Sequence, residues 1–201
     1  RILPGIAQRD RAAPDVMRGE ETQLLGALGI DAAGEAVVCL PGTHSKWVRV
    51  NGGTVERFAT FMTGELFDAV SRETILSHAV SGADDAVDID AFKSAVTAAF
   101  ETPALAANLL FQVRSGQLLY GGTPSAAREK ISGTLIGLEL AAGLAGEVPG
   151  AGITLVSEIM SKTARGWGTT IIAGVGVTGA IAAAMIDRAG TLCKLPGWTL
   201  I

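Results

Sequence analysis

Residues 36–61, Ala36-Val-Val-Cys-Leu-Pro-Gly-Thr-His-Ser-Lys-Trp-Val-Arg-Val50 and then Asn51-Gly-Gly-Thr-Val-Glu-Arg-Phe-Ala-Thr-Phe61, decide the fold. Ala36 to Leu40 is a short continuous apolar run, the pattern of a buried strand. Pro41 to Ser45 is a turn, and Lys46 to Val50 alternates polar with apolar, as a second strand does. Asn51-Gly52-Gly53 is a hairpin signal, because Asn and Gly tolerate the left-handed backbone of a tight turn. A third strand follows from Thr54 to Phe61, so the segment predicts an antiparallel meander.

Outward from the meander the period changes. Leu66, Phe67, Val70, Ile75 and Leu76 mark one face of a helix from Thr63 to about Val80. Ser81 to Asp88 reads as a polar loop, and Asp90–Phe100 and Pro103–Val113 as helices, the second with Pro at its first position. Ser125 to Ala145 is a longer helix, and Ile153–Val156 a short strand. Beyond an unassigned polar stretch, Ser157 to Trp167, come a strand at Thr169–Ala173, a helix at Ala180–Ala189 and a last strand at Thr191–Leu195. On the other side, residues 1–14 read as a strand end and polar loop, and Asp15 to Leu28 as a loop entering a helix. Hairpin strands, then helices, then strand–loop–helix–strand make a mixed α/β protein.

Composition narrows the function. The 201 residues are 48% hydrophobic and 18% charged, which is a globular balance. A formal net charge of -4 disfavours a nucleic-acid partner but not a nucleotide, which needs only local positive potential. Cys39 and Cys193 stand far apart in sequence and read as reduced thiols of a cytoplasmic protein. With two histidines besides, no zinc site is expected. Gly166–Ile186 is uncharged, but its glycines and threonines argue against a membrane span. The chain opens at Arg1 without Met, so an upstream segment is expected to be missing.

Four stretches could carry chemistry. The turn at Gly42, Thr43, His44, Ser45 and Lys46 is either an ordinary Pro-Gly turn or a nest whose amides and hydroxyls take an anion. Asp15, Arg18, Glu20 and Glu21 crowd a helix start, where carboxylates serve as caps or dipole partners, or as a base beside an anion-binding arginine. Thr63 and Glu65 open another helix, as caps or as ligands to a substrate hydroxyl or carboxylate. Gly174, Gly176 and Gly179 form GxGxxG, but no acidic residue lies about 20 positions on to hold a ribose. A dinucleotide-dependent oxidoreductase resting on it alone is therefore the weakest reading.

Together the stretches PDVMRGEETQLLGAL (14–28), LPGTHSKWVRV (40–50) and FMTGELFDAVSRETILSHAV (61–80) resemble the 2-dehydro-3-deoxygalactonokinase family. NLLFQVRSGQLL (108–119) and SGTLIGLELAAGLAG (132–146) are similar to it as well. The resemblance implies an actin-like (ribonuclease H-like) sugar-kinase fold, with residues 1–35 closing the first lobe and 36–201 forming the second. It implies transfer of the γ-phosphoryl of ATP, with Mg²⁺, to the 6-hydroxyl of 2-dehydro-3-deoxy-D-galactonate. The residues at 42–46 and the glycines at 174, 176 and 179 would hold the nucleotide. Glu20, Glu21 or Asp15 would be the acid that orients the hydroxyl, and Arg18, Thr63 and Glu65 would bind the sugar acid. The expected partners are the sugar acid and ATP, with no nucleic acid and no membrane, and with room for a homodimer. The family's first phosphate hairpin is not among these residues, so the isolated chain is expected not to turn over. A sensor domain of the same fold that binds without reacting is the competing expectation.

Overall fold

The computed structural model describes residues 4–28, 34–147 and 152–155, and the side chains of most of these. The expected elements between 157 and 195, with Gly174, Gly176, Gly179 and Cys193, lie outside the described residues. The described part is mixed α/β, and the chain divides after Phe61 and after Leu144 into two compact units. That division by packing is a different cut from the expected lobe boundary at 35/36.

In the first unit the meander forms as the pattern requires. Strands β3 (Glu35–Leu40), β4 (Ser45–Asn51) and β5 (Thr54–Phe61) pair antiparallel in sequence order. Strand β6 (Gly152–Leu155) adds parallel to β3 on its other side. The β4–β5 turn places Gly52 and Gly53 at φ 55° and 74°, left-handed values that a side chain would resist. Val37 and Cys39 are buried on one face of β3 and Val38 and Leu40 on the other, so this strand has no solvent face.

Two further elements cover the sheet. Strands β1 (Ile6–Gln8) and β2 (Asp15–Met17) make a small antiparallel pair, and helix α1 runs from Glu20 to Leu28. Met17 and Leu24 pack with Val38, Leu40, Val48, Val50 and Phe58 into one apolar cluster. Asp15 therefore lies on a strand, where a loop was expected. Its carboxylate is used by the edge of the sheet: Oδ2 accepts from the Thr60 amide at 2.7 Å and Oδ1 from the Thr60 hydroxyl at 2.8 Å.

The second unit is helical: α2 (Thr63–Glu73), α3 (Ser77–Val80), α4 (Ile89–Glu101), α5 (Ala106–Tyr120) and α6 (Pro124–Glu147). The single helix expected from Thr63 to Val80 is broken at Thr74. The Thr74 hydroxyl donates back to the Val70 carbonyl at 2.6 Å, and its own backbone is extended, with ψ 178°. Ile75 is left exposed while Leu76 stays in the core. The helix expected to end at Val113 instead opens with a 3₁₀ turn at Pro103–Leu105 and runs on to Tyr120, stopped by Gly121 at φ 72°. Leu76, Ala79, Val113, Ala127, Ile131 and Leu135 form this unit's main core cluster. Among the described residues, no helix is long and apolar enough to cross a membrane.

Candidate active site

The bend at 41–44 links two buried strands, so the sheet holds both its ends. Ser45 is buried beneath it, with its hydroxyl 3.4 Å from both the amide and the carbonyl of Gly42, contacts at the long limit of hydrogen bonding. Thr43, at the tip, is exposed, and its amide and hydroxyl make no hydrogen bond to a described residue.

Helix α1 begins opposite the bend. Gly19 turns the chain into the helix at φ 111°. Glu20 and Glu21 then reach back one step each: Glu20 Oε2 accepts from the Arg18 amide at 3.0 Å and Glu21 Oε2 from the Gly19 amide at 2.6 Å. Both acids thereby do the capping work open to a first-turn carboxylate. Glu20 does more, because its Oε1 is 3.1 Å from Lys46 Nζ. Lys46 shares a face of β4 with Val48 and Val50, so its stem runs over the apolar face and its ammonium emerges at the start of α1.

Between bend and helix lies a pocket of about 310 Å³. Arg18, Gly19, Glu20 and Gln23 line one wall, and Leu40, Pro41, Gly42, Thr43, His44 and Lys46 the other. Six of the residues singled out from sequence thus meet here: Arg18, Glu20, Gly42, Thr43, His44 and Lys46. Ser45 lies under the bend rather than on the wall. Glu21 is buried and tied to Gly19, and Asp15 is tied to Thr60; neither lines the pocket. Gln23 and the Gly19 backbone are wall residues that sequence reasoning passed over. Gln23 stands one helical turn past Glu20, which was the available signal.

Thr63 and Glu65 belong to the second unit. Thr63 opens α2, where no side chain caps the helix, and its hydroxyl donates to the carboxylate of Glu139, a buried acid on α6 absent from the sequence-based candidates. Glu65 is exposed in the first turn of α2. Among the described residues, no three His, Cys, Asp or Glu side chains gather as a metal cluster.

Among the described residues, the pocket offers two cations, one carboxylate and a bend-tip amide with no described partner. Such a set suits an anionic ligand that also carries a hydroxyl. It defines a mixed α/β protein with a glycine-bearing turn set against an acid on a helix start.

Comparison with known proteins narrows this class. Residues 1–165 match the family described as 2-keto-3-deoxy-galactonokinase, and the chain belongs to that family. It is 62% identical over 159 residues to a Rhizobium meliloti (strain 1021) protein named "Probable 2-dehydro-3-deoxygalactonokinase DgoK1", covering 79% of this chain and 52% of that one. It is 36% identical over 143 residues to the 2-dehydro-3-deoxygalactonokinase of Escherichia coli (strain K12), covering 70% of this chain and 46% of the relative. A crystal structure from Sinorhizobium meliloti that carries the same kinase name superimposes with a TM-score of 0.72 at 50% identity, over 94% of this chain and 65% of that one. The chain spans about half the length of the curated relatives it matches.

Proposed function

We propose that this chain supplies the phosphate-holding and hydroxyl-orienting side of a sugar-acid kinase. The reaction is transfer of the ATP γ-phosphoryl group to the 6-hydroxyl of 2-dehydro-3-deoxy-D-galactonate. The observation that carries this is the shared pocket: the Gly42–His44 bend and the Glu20 carboxylate line one space of about 310 Å³. That volume is at the lower end for ligand pockets, which suits a phosphate tail or a sugar acid rather than a whole nucleotide.

The wall chemistry fits phosphate, since the Thr43 amide has no partner among the described residues and Arg18 is exposed. Among the described residues the only carboxylate on that wall is Glu20, which Lys46 already engages, so Mg²⁺ would enter with the nucleotide. Bound there, Mg²⁺ would neutralise charge on the phosphoryl group in transfer.

In the transfer, the bond from the γ-phosphorus to the bridging oxygen breaks and ADP leaves. The C6 oxygen forms the new bond to phosphorus, and its proton passes to a carboxylate. Of Asp15, Glu20 and Glu21, Glu20 is favoured as that acceptor because it alone faces the pocket. Arg18 serves the acid's carboxylate or the phosphate. Thr63 and Glu65 as sugar-acid ligands, the glycines at 174, 176 and 179 as an adenosine support, the actin-like lobes divided at 35/36, a cytoplasmic setting and a homodimer complete the reading.

The test is to incubate the protein that carries this chain with Mg-ATP and the keto-deoxy acid, following ADP release and the new ester by ³¹P NMR. Turnover of about 1–100 s⁻¹ is expected. Saturable binding of both ligands without ester formation would favour a sensor of the same fold.

A further inference from the structure

Lys46 reads from sequence as a phosphate ligand, and its surroundings argue for another task. The residue is 6% exposed, and its ammonium already donates to the His44 carbonyl at 3.0 Å and to Glu20 Oε1 at 3.1 Å. A lysine that grips a phosphate acts as a mobile point charge and needs its head in the cleft. This one is held by the protein on two sides. Its charge is met by Glu20, so the pair adds little net positive potential to the pocket.

Both partners line the pocket, one from the bend and one from the start of α1. The His44 carbonyl is part of the bend. Its oxygen is engaged by Lys46, whereas a carbonyl turned into the pocket would repel an anion. The other partner, Glu20, is the carboxylate at the start of α1, and its second oxygen accepts from the Arg18 amide at 3.0 Å. One ammonium thus sets three things at once: the peptide after the bend's tip, the pocket-facing carboxylate, and through that carboxylate the backbone at Arg18.

We infer that Lys46 is a positioning residue that fixes the distance between the phosphate-holding bend and Glu20, and that it does not itself bind the phosphoryl group. The inference rests on the kinase reading above and deepens it, since that reading requires a phosphoryl group and a hydroxyl to be held in register across this pocket. Misplacing reacting groups by about 1 Å can cost on the order of 10²-fold in rate. Loss of a phosphate contact would instead weaken nucleotide binding.

The experiment uses the protein that carries this chain, with Mg-ADP as the binding probe and steady-state turnover as the second readout. For Lys46→Met, kcat is expected to fall on the order of 10²-fold while the Kd for Mg-ADP stays within about threefold of the parent. Lys46→Arg keeps the charge and the fold but cannot occupy the same point between two oxygens. It is expected to lose at least about tenfold in kcat with an unchanged Kd, and it decides the matter if the Met variant does not fold. A Kd weakened about tenfold or more with kcat preserved would overturn the inference and return Lys46 to the phosphate. So would wild-type values of both constants. A parent protein that forms no ester with the sugar acid would instead defeat the kinase reading itself.

Discussion

The Asp15 carboxylate takes both the backbone amide and the hydroxyl of Thr60, at 2.7 and 2.8 Å. Two residues earlier on the same strand edge, the Phe58 amide donates to Gln8 Oε1 at 2.9 Å. Strand β5 is the outer strand of its sheet, and these two side chains occupy amides that would otherwise stand open at the edge. Asp15 thus joins the β1–β2 pair to the sheet. Replacing it with alanine leaves part-buried donors without a partner, at a cost of about 1–3 kcal/mol. Urea unfolding of Asp15→Ala should show that loss, with kcat changed by no more than about threefold in the folded fraction. Unchanged stability with a collapse in kcat would restore Asp15 as a candidate base.

Helices α4 and α6 cross at two glycines. A Cβ built on Gly133 would come within 2.5 Å of the Phe92 carbonyl oxygen, and one on Gly137 within 2.4 Å of that of Val96. Two opposing effects meet here. Glycine to alanine inside a helix ordinarily gains about 1 kcal/mol from propensity. Overpacking against rigid backbone ordinarily costs about 1–3 kcal/mol, and at these distances the helices must move apart. Gly137→Ala is therefore expected to lower the urea midpoint. A raised midpoint would mean that the crossing is looser than described.

Asp84 anchors the loop between α3 and α4 to α6. Ser125 Oγ donates to its carboxylate at 2.6 Å, and Arg128 donates to the Asp84 and Ala86 carbonyls at 2.6 and 3.0 Å. The Ser125 hydroxyl first, and then the Ala86 amide, hold the Asp84 carboxyl below its ordinary value of 3.8. A carboxyl lowered by folding stabilises the protein above its unfolded pKa and loses that contribution as pH falls through the folded one. Ser125→Ala should therefore be less stable than the parent at neutral pH, with the gap narrowing below about pH 4. A gap of constant size from neutral pH to pH 2 would show that the Asp84 contact does not titrate as described.

Much of the first unit could be read directly from residues. The continuous run at 36–40, the alternation at 46–50 and the glycine pair at 52–53 each constrain backbone geometry locally, and the meander follows. The long helix over 124–147 and the loop at 81–88 were readable for the same reason. What the sequence hid was tertiary. Nothing local distinguishes Asp15 on a sheet edge from Asp15 in a loop, since its partner Thr60 is 45 residues away. The break at Thr74 was equally hidden, because a threonine within an apolar period gives no sign that its hydroxyl will bond back to Val70. At the site, the motif residues were visible but their pairing was not. Lys46 read as a charge beside a possible anion and Glu20 as a cap or a base, and the fold pairs them with each other.

In the proposed kinase the bend at 42–44 receives phosphate through its backbone. Its most direct test is a ¹H–¹⁵N titration of the protein with Mg-ADP, following the amide of Thr43. A saturable shift of the Thr43 amide is expected, with Gly42 and His44 moving on the same binding curve. Nucleotide saturation detected elsewhere in the protein while these three amides stay still would contradict it.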